Sequence, residues 1–393
     1  MRLLADENMV GLEALPPEIE VVQAPGREID AAAVRDFDAL WVRSVTPVNA
    51  ALVDGSRLRF VGSATAGLEH VDVAALKARG VAFAAAPGSN AMAVVEYVIS
   101  ALLAMAQPWE RLCAGGTLGI VGYGHIGRRL AAFARAMGWE LRLCDPWVAA
   151  ESSAAENFES LESVLGCDVV SLHSSLHSRQ PWPSRHLLGA AELAWMSWDQ
   201  WLVNACRGAV VDNEALLACV ESGASPQLIL DVWEGEPEID WRLLQSPAVH
   251  IASPHIAGYS WDAKWEAVRL LLAATRAAGL VDSAAVSLKA PEVEGLPPAW
   301  PEKASPAALM HSVYDPRRDD QRLRELLEVP GEARPAGFDR LRRKYPLRRE
   351  VSALLRERGW SEGGCGKGGE PALGGEEAHR LVTALRAARA TAS

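Results

Sequence analysis

Three short segments in the second half of the chain each hold one residue suited to proton transfer or anion binding. They are Asn204-Ala205-Cys206-Arg207-Gly208, Asp231-Val232-Trp233-Glu234-Gly235-Glu236-Pro237 and Ser253-Pro254-His255-Ile256-Ala257-Gly258. Each follows an apolar run that reads as a strand. Ligands of open α/β sheets bind beyond the carboxyl ends of strands, so Arg207, Glu236 and His255 could converge. Such a trio suits hydride transfer at a hydroxyl-bearing carbon. An imidazole is the natural base for the hydroxyl proton near neutral pH, a carboxylate on its far nitrogen favours the imidazolium, and a guanidinium holds a substrate carboxylate bidentately while polarising the reacting oxygen. Singly, a lone histidine or a Glu-Gly-Glu-Pro turn is ordinary. Their weight comes from a nucleotide motif upstream.

That motif is Leu-Gly-Ile-Val-Gly-Tyr-Gly-His-Ile-Gly, beginning at Leu118. Gly122, Gly124 and Gly127 fall as G-x-G-x-x-G between a short apolar strand and an Ala-rich helical run from Ile126 to Met137. Glycine serves the sharp turn, the approach of backbone to a pyrophosphate and the close packing of helix on strand, while the helix N-terminus offers free N–H groups. A second strand, Leu141 to Cys144, ends at Asp145, 18 residues after Gly127. A carboxylate there accepts ribose hydroxyls and repels a 2′-phosphate, which favours NAD over NADP.

The chain has 393 residues, too many for one core, with 49% hydrophobic and 23% charged residues, so several globular domains are expected. A net charge of −11 argues against nucleic acid and acidic membrane surfaces as partners. No apolar run approaches the roughly 18–20 residues of a membrane span, and Met-Arg-Leu-Leu-Ala-Asp-Glu lacks a signal-peptide layout, so a cytoplasmic location is expected. The six cysteines, at 113, 144, 167, 206, 219 and 365, form no C-x-x-C pair and read as core thiols. The histidines form no ligand spacing, and no metal is expected.

Before the motif, strands at Arg2–Ala5, Ile19–Val22, Ala39–Val42, Phe60–Gly62 and Val81–Ala84 alternate with helical stretches at Asn49–Gly55 and Val73–Arg79, a βα pattern with a parallel sheet. An apolar helix, Ala91–Ala106, leads into the nucleotide domain, whose later strands fall at Val169–Leu172, Trp201–Asn204, Leu228–Leu230 and Val249–Ile251. A long helix, Trp261–Gly279, returns to the first domain. Beyond Val281 the chain turns proline-rich and then charge-rich; Ser361–Glu376 is glycine-rich and reads as a mobile loop, and Glu377–Arg389 reads as an amphipathic helix.

These features resemble the D-isomer-specific 2-hydroxyacid dehydrogenases: the Gly122–Gly127 turn, Asn204–Asp212 (NACRGAVVD), Asp231–Pro237 and Pro254-His255. Further segments point to a branch acting on a phosphorylated 2-hydroxy acid: Ala5–Met9 (ADENM), Trp41–Thr46 (WVRSVT), Gly62–Asp72 (GSATAGLEHVD), Ala86–Ala91 (APGSNA), Tyr314–Asp320 (YDPRRDD) and Phe338–Glu350 (FDRLRRKYPLRRE). The resemblance implies an α/β protein with two Rossmann-like doubly wound parallel-sheet domains and a C-terminal α+β dimerisation domain. The corresponding ranges are 1–91 with 259–280 for substrate, 92–258 for NAD and 281–393 for a homodimer interface. It implies Arg207 and Glu236 in the active site, His255 as proton donor or acceptor, Asp145, Ser174, Asp231 and Gly258 along the cofactor, and Ser44, Thr65 and Tyr259 at the substrate. Arg43, beside Ser44, can supply charge for a phosphate. The basic block Arg340, Arg342, Arg343, Lys344, Arg348 and Arg349 is expected to reach, in part, across a dimer interface to the partner's substrate. Three departures, Ser175 for proline, Cys206 for serine and the tryptophan-rich Trp195–Trp201, are read as bearing on the cofactor-facing wall. The alternatives are an enzyme of the family acting on phosphoglycerate or hydroxypyruvate, and an NAD(H)-sensing corepressor-type binding protein.

Overall fold

Alternation of side chains along short apolar strands gives each of the two sheets two buried faces, the pattern of parallel sheets covered by helices. The computed structural model describes residues 1–65, 67–151, 156–282, 288, 304–357 and 375–391. Cys365 and nearly all of the glycine-rich stretch expected over Ser361–Glu376 lie outside these residues, as does Ala66 of the GSATAGLEHVD segment. The chain forms two compact units, Met1–Asn90 with Ser260–Leu296, and Ala91–Tyr259 with Pro297–Ser393.

In the first unit, β1 (Arg2–Asp6), β2 (Glu20–Ala24), β3 (Ala39–Val42), β4 (Phe60–Ser63) and β5 (Ala82–Ala85) form a parallel sheet in the order β2-β1-β3-β4-β5. Leu3, Ala5, Trp41 and Phe60 face the helix Trp261–Ala277 through Trp265, Val268, Leu271 and Leu272, while Leu4, Leu40, Val42 and Val61 face the opposite layer. The returning helix is therefore an integral part of this unit. Trp41 donates its indole N–H to Thr275 Oγ1 (3.3 Å), and a Cβ on Gly62 would meet the Trp41 ring at 2.9 Å, so glycine leaves room for the indole beside β4.

In the second unit, β6 (Thr117–Val121), β7 (Glu140–Cys144), β8 (Val169–Leu172), β9 (Trp201–Asn204), β10 (Gln227–Leu230) and β11 (Val249–Ala252) are parallel in the order β11-β10-β9-β8-β6-β7. Sequence order reverses between β6 and β8, the switch point at which such sheets bind ligands. The segment from 304 onward, expected to stand apart as a domain mixing helix and strand, is helical in its described residues. Its helices complete the core of this unit. Leu309, Met310, Val351, Leu381 and Leu385 pack with Leu118, Ile120, Leu130 and Phe133 on one face, and Leu323, Leu326 and Phe338 join the core on the other. Arg-, Ala- and Leu-rich composition with proline in the first turns at Pro306 and Pro335 explains the helices. No single described helix is long and apolar enough to cross a membrane; Ala91–Met105 and Gln107–Cys113 qualify only as a pair bent by 102°, and their apolar side chains lie mostly in the core.

The helix Ala91–Met105 is buried on nearly all sides and carries one acid, Glu96. Glu96 accepts the N–H groups of Val351 (2.6 Å) and Ser352 (2.9 Å), buried first-turn donors of the helix Val351–Glu357 that have no partner within the helix. Burial, reinforced by the neighbouring Glu350 charge, raises its carboxyl from 4.5 to about 7. A raised folded-state pKa contributes stability that is complete below 4.5 and lost as pH rises through 7. The urea midpoint should therefore fall between about pH 5 and pH 8, and Glu96→Gln should flatten that dependence; an unchanged pH profile in the variant would remove Glu96 as its source.

Candidate active site

The turn after β6 shows why glycine occupies it. Gly122 has φ +96°, and a Cβ there would lie 2.6 Å from the backbone of His173 and Ser174, the loop after β8. A Cβ on Gly127 would come within 2.0 Å of the Gly122 carbonyl, so the helix His125–Met137 starts hard against the turn. Gly124, at the N-cap of that helix, has nothing within 4 Å of its Cβ position. Two glycines are thus required by packing and the third leaves open space in front of free N–H groups, which fits a dinucleotide pyrophosphate. Asp145 follows β7; its Oδ2 accepts Tyr123 N–H (2.8 Å) and its Oδ1 accepts Trp147 and Val148 N–H (3.1 Å each). A carboxylate accepts about four hydrogen bonds, so one acceptor site remains for a ribose hydroxyl. Ser174 rests with its hydroxyl 3.5 Å from the Val121 carbonyl.

Across the switch point, the ends of β9, β10 and β11 carry the expected trio. His255 donates Nδ1–H to Glu236 Oε1 at 2.8 Å, and both side chains are only partly exposed. His255 Nε2 is left without a protein partner among the described residues. Glu236 Oε2 is buried and also lacks one. Arg207 donates from Nη1 to the Cys206 carbonyl (2.9 Å), and Asn204 Nδ2 donates to the Arg207 carbonyl (3.2 Å), shaping the turn after β9. Gly208 permits the approach of that turn to β10's extension, because a Cβ would stand 2.0 Å from the Trp233 carbonyl.

Asp231, expected along the cofactor, is buried and organises the His255 segment. Its Oδ1 accepts Ser253 Oγ–H (2.6 Å) and Ile256 N–H (2.8 Å), its Oδ2 accepts Ala257 N–H (2.9 Å), and its carbonyl accepts His255 N–H (2.6 Å). Held this way, His255 adopts φ +57°, a conformation costing roughly 1–3 kcal/mol. Gly258 and Tyr259 complete the turn through Tyr259 N–H to the Ile256 carbonyl (2.8 Å). The sequence did not mark Ser253 or Tyr97, whose hydroxyls lie 2.8 Å apart in the same buried network.

The remaining expected residues lie on the first unit. Arg43 Nη1 is 3.8 Å from the buried Asp6 carboxylate; Ser44 is exposed. Thr65 Oγ1 donates to the Gly67 carbonyl (2.8 Å) and meets Ser63 Oγ (2.7 Å), which in turn contacts His70 Nε2 (2.9 Å). Lys264, unmarked in the sequence, is pushed down by burial and by the Arg43 charge, so two cations share this neighbourhood.

The departures resolve differently. Cys206 is buried with its thiol pushed up to about 11 by burial, an inert neighbour of Asn204. Ser175 presents its carbonyl to Ser184 Oγ (2.5 Å), which closes the loop after β8. The Trp195–Trp201 stretch does not border the cofactor turn, because it precedes β9 at the end of the sheet opposite the trio, with Trp195 and Trp198 exposed. His186, Asp212 and Glu234 bring ligand-type atoms within 4.8 Å, but His186 and Glu234 already share a 2.7 Å hydrogen bond.

Residues 104–257 match the family profile described as D-isomer specific 2-hydroxyacid dehydrogenase, NAD binding domain, and residues 299–358 match a domain of unknown function (DUF3410). Among solved structures, a glyoxylate reductase from Paecilomyes thermophila is similar with a TM-score of 0.56 and 27% identity, covering 71% of this chain and 95% of that one. The holo form of Rhodotorula graminis D-mandelate dehydrogenase gives 0.57 and 25%, covering 69% and 92%. Fold and site together define a D-isomer-specific 2-hydroxyacid dehydrogenase. The chain is 42% identical to erythronate-4-phosphate dehydrogenase of Azotobacter vinelandii and 43% to that of Escherichia coli, each over 90% of this chain and 94% or 93% of the relative. It belongs to the erythronate-4-phosphate dehydrogenase family.

The open cradle at Gly124 makes a discriminating pair of variants. Gly124→Ala should leave the thermal midpoint within about 2 °C of wild type while weakening NADH binding about tenfold, a loss of one good charge-assisted hydrogen bond. Gly127→Ala should destabilise by about 1–3 kcal/mol or more through the backbone clash. Thermal melts with NADH fluorescence titration check both, and full NADH affinity in Gly124→Ala would sink the cradle.

Proposed function

We propose that the chain oxidises 4-phospho-D-erythronate at C2 to (R)-3-hydroxy-2-oxo-4-phosphooxybutanoate with NAD, a step of pyridoxine 5′-phosphate (vitamin B6) biosynthesis. The observation that carries this reading is the His255–Glu236 hydrogen bond at 2.8 Å beside the Arg207 turn, in a chain 42% identical to curated enzymes of that name. With Nδ1–H donated to Glu236, His255 presents the Nε2 lone pair to the C2 hydroxyl and takes its proton as the carbonyl forms. Glu236 fixes the ring orientation and stabilises the resulting imidazolium. Arg207 holds the substrate carboxylate and polarises the C2 oxygen. NAD, bound on the Gly122–Gly127 turn with its ribose at Asp145, supplies the acceptor for the hydride leaving C2. We also assign Arg43, Ser44 and Thr65 to the substrate, and Ser174, Asp231 and Gly258 to the cofactor. We read the protein as a cytoplasmic homodimer paired through the C-terminal helices; light scattering should return twice the 42.2 kDa chain mass, and a monomer would refute that pairing.

The assay that tests the activity follows NADH, or 2-oxo acid trapped as a hydrazone, with 4-phosphoerythronate and 3-phosphoglycerate in parallel. The trap draws an unfavourable oxidation forward. Preference for 4-phosphoerythronate is expected, and preference for 3-phosphoglycerate would overturn the substrate while keeping the trio. His255→Ala should lower kcat by about 10²–10⁴-fold with NADH affinity nearly unchanged; lost NADH binding would give His255 a structural role.

A further inference from the structure

Arg342 sits on the helix Arg334–Arg343, and its guanidinium reaches the segment that carries His255. Its Nη2 lies 3.5 Å from the hydroxyl of Tyr259, four residues after His255, at the limit of a hydrogen bond. Its Nε is buried and has no hydrogen-bond partner among the described residues. Burial works against its charge, but the phenol of Tyr259 and the carboxylates of Glu236 and Asp231 outweigh that effect and push its pKa up. Glu236 Oε2, in the same neighbourhood, is likewise buried without a partner. Unpaired buried polar atoms are uncommon and each calls for an explanation. A bound anion offers one: its oxygens would satisfy the unused donor on the cation.

The phenol beside it is held in place. The Tyr345 ring stands edge-on to Tyr259 at 5.8 Å and 84°, and Tyr345 donates its hydroxyl to Asp319 (2.8 Å). Arg207 is assigned above to the carboxylate end of the hydroxy acid, and a second anionic group on the same substrate is favoured by a further cation. A guanidinium is a planar fork matched to phosphate oxygens.

We propose that Arg342, with the hydroxyl of Tyr259, forms the subsite for the distal phosphate of the substrate, supplied by the same chain that carries His255. This rests on the substrate assigned above. It also revises the expected reach of the basic block, since Arg342 meets the site of its own chain and needs no partner subunit.

The test compares KM and kcat for 4-phosphoerythronate with the Ki of erythronate, the same carbon chain without phosphate, in wild type, Arg342→Met, Arg342→Lys and Tyr259→Phe. Arg342→Met should raise KM about 10- to 100-fold, the range for a lost charged hydrogen bond, with kcat and the erythronate Ki within about threefold. Arg342→Lys should recover part of the loss, and Tyr259→Phe should raise KM by a smaller factor with the same Ki. A KM that does not move, or an erythronate Ki that rises in step with KM, would overturn the subsite. NADH titration reports whether each variant is folded; should Arg342→Met fail to fold, the lysine and phenylalanine variants decide by the same two readouts. A wild-type protein inactive on 4-phosphoerythronate would instead refute the substrate assignment, before any variant is made.

Discussion

The site depends on one buried carboxylate. Asp231, at the end of β10, has its side-chain oxygens occupied by Ser253, Ile256 and Ala257, and its carbonyl by the His255 amide. A carboxylate without water is tolerable only when its lone pairs are met, and once met it fixes every group that meets it. Here those groups are the residues on both sides of His255. The imidazole is therefore presented in a left-handed backbone conformation that a free loop would avoid. Tyr97 and Trp233 extend the same network through Ser253, whose hydroxyl and carbonyl they engage.

The C-terminal helices serve the same segment from the other side. Asp320 accepts the Ala252 amide (2.9 Å), Arg324 donates to the Val249 carbonyl (2.7 Å), and Arg348 donates to the carbonyls of Ala93 and Ala257 while lying 4.1 Å from the centre of the Tyr314 ring. Each contact takes up a backbone group left over along the edge strand β11, in the turn beyond it, or where the helix Ala91–Met105 passes. A region that pairs its polar groups this way, and that shares its apolar residues with the sheet, is part of the nucleotide unit's core in physical terms. It is not an appended module.

Much of this was legible in the sequence because the signals are local. Ala39–Val42, Val169–Leu172 and Trp201–Asn204 are strands over the stretches that apolar runs between turn residues had marked, and Gly122, Gly124 and Gly127 occupy a strand–turn–helix as their spacing required. Arg207, Glu236 and His255 follow three neighbouring strands, so the parallel topology brings them to one sheet edge. What escaped has partners far away in sequence. Glu96 meets Val351 and Ser352 across some 255 positions, Asp231 reads locally like any acid after a strand, and the need for Gly208 comes from Trp233 on the next strand end. The Phe338–Glu350 block was visible as charge, yet charge alone could not separate Arg348, sealed in the core, from Arg340, Arg343 and Lys344, which face solvent.

That separation bears on the local potentials within a chain of net charge −11. Exposed charges more than about 8–10 Å apart are screened in physiological salt, so the net charge sets solubility and leaves the site's potential to nearby groups. Buried cations are screened far less, and each acts on whatever enters its immediate surroundings. Arg342 lies within the field of Glu236, while Arg43 and Lys264 form a second positive neighbourhood on the first unit. Lys264 has its charge disfavoured by burial and by Arg43. The overall acidity of the chain therefore leaves these local positive neighbourhoods in place.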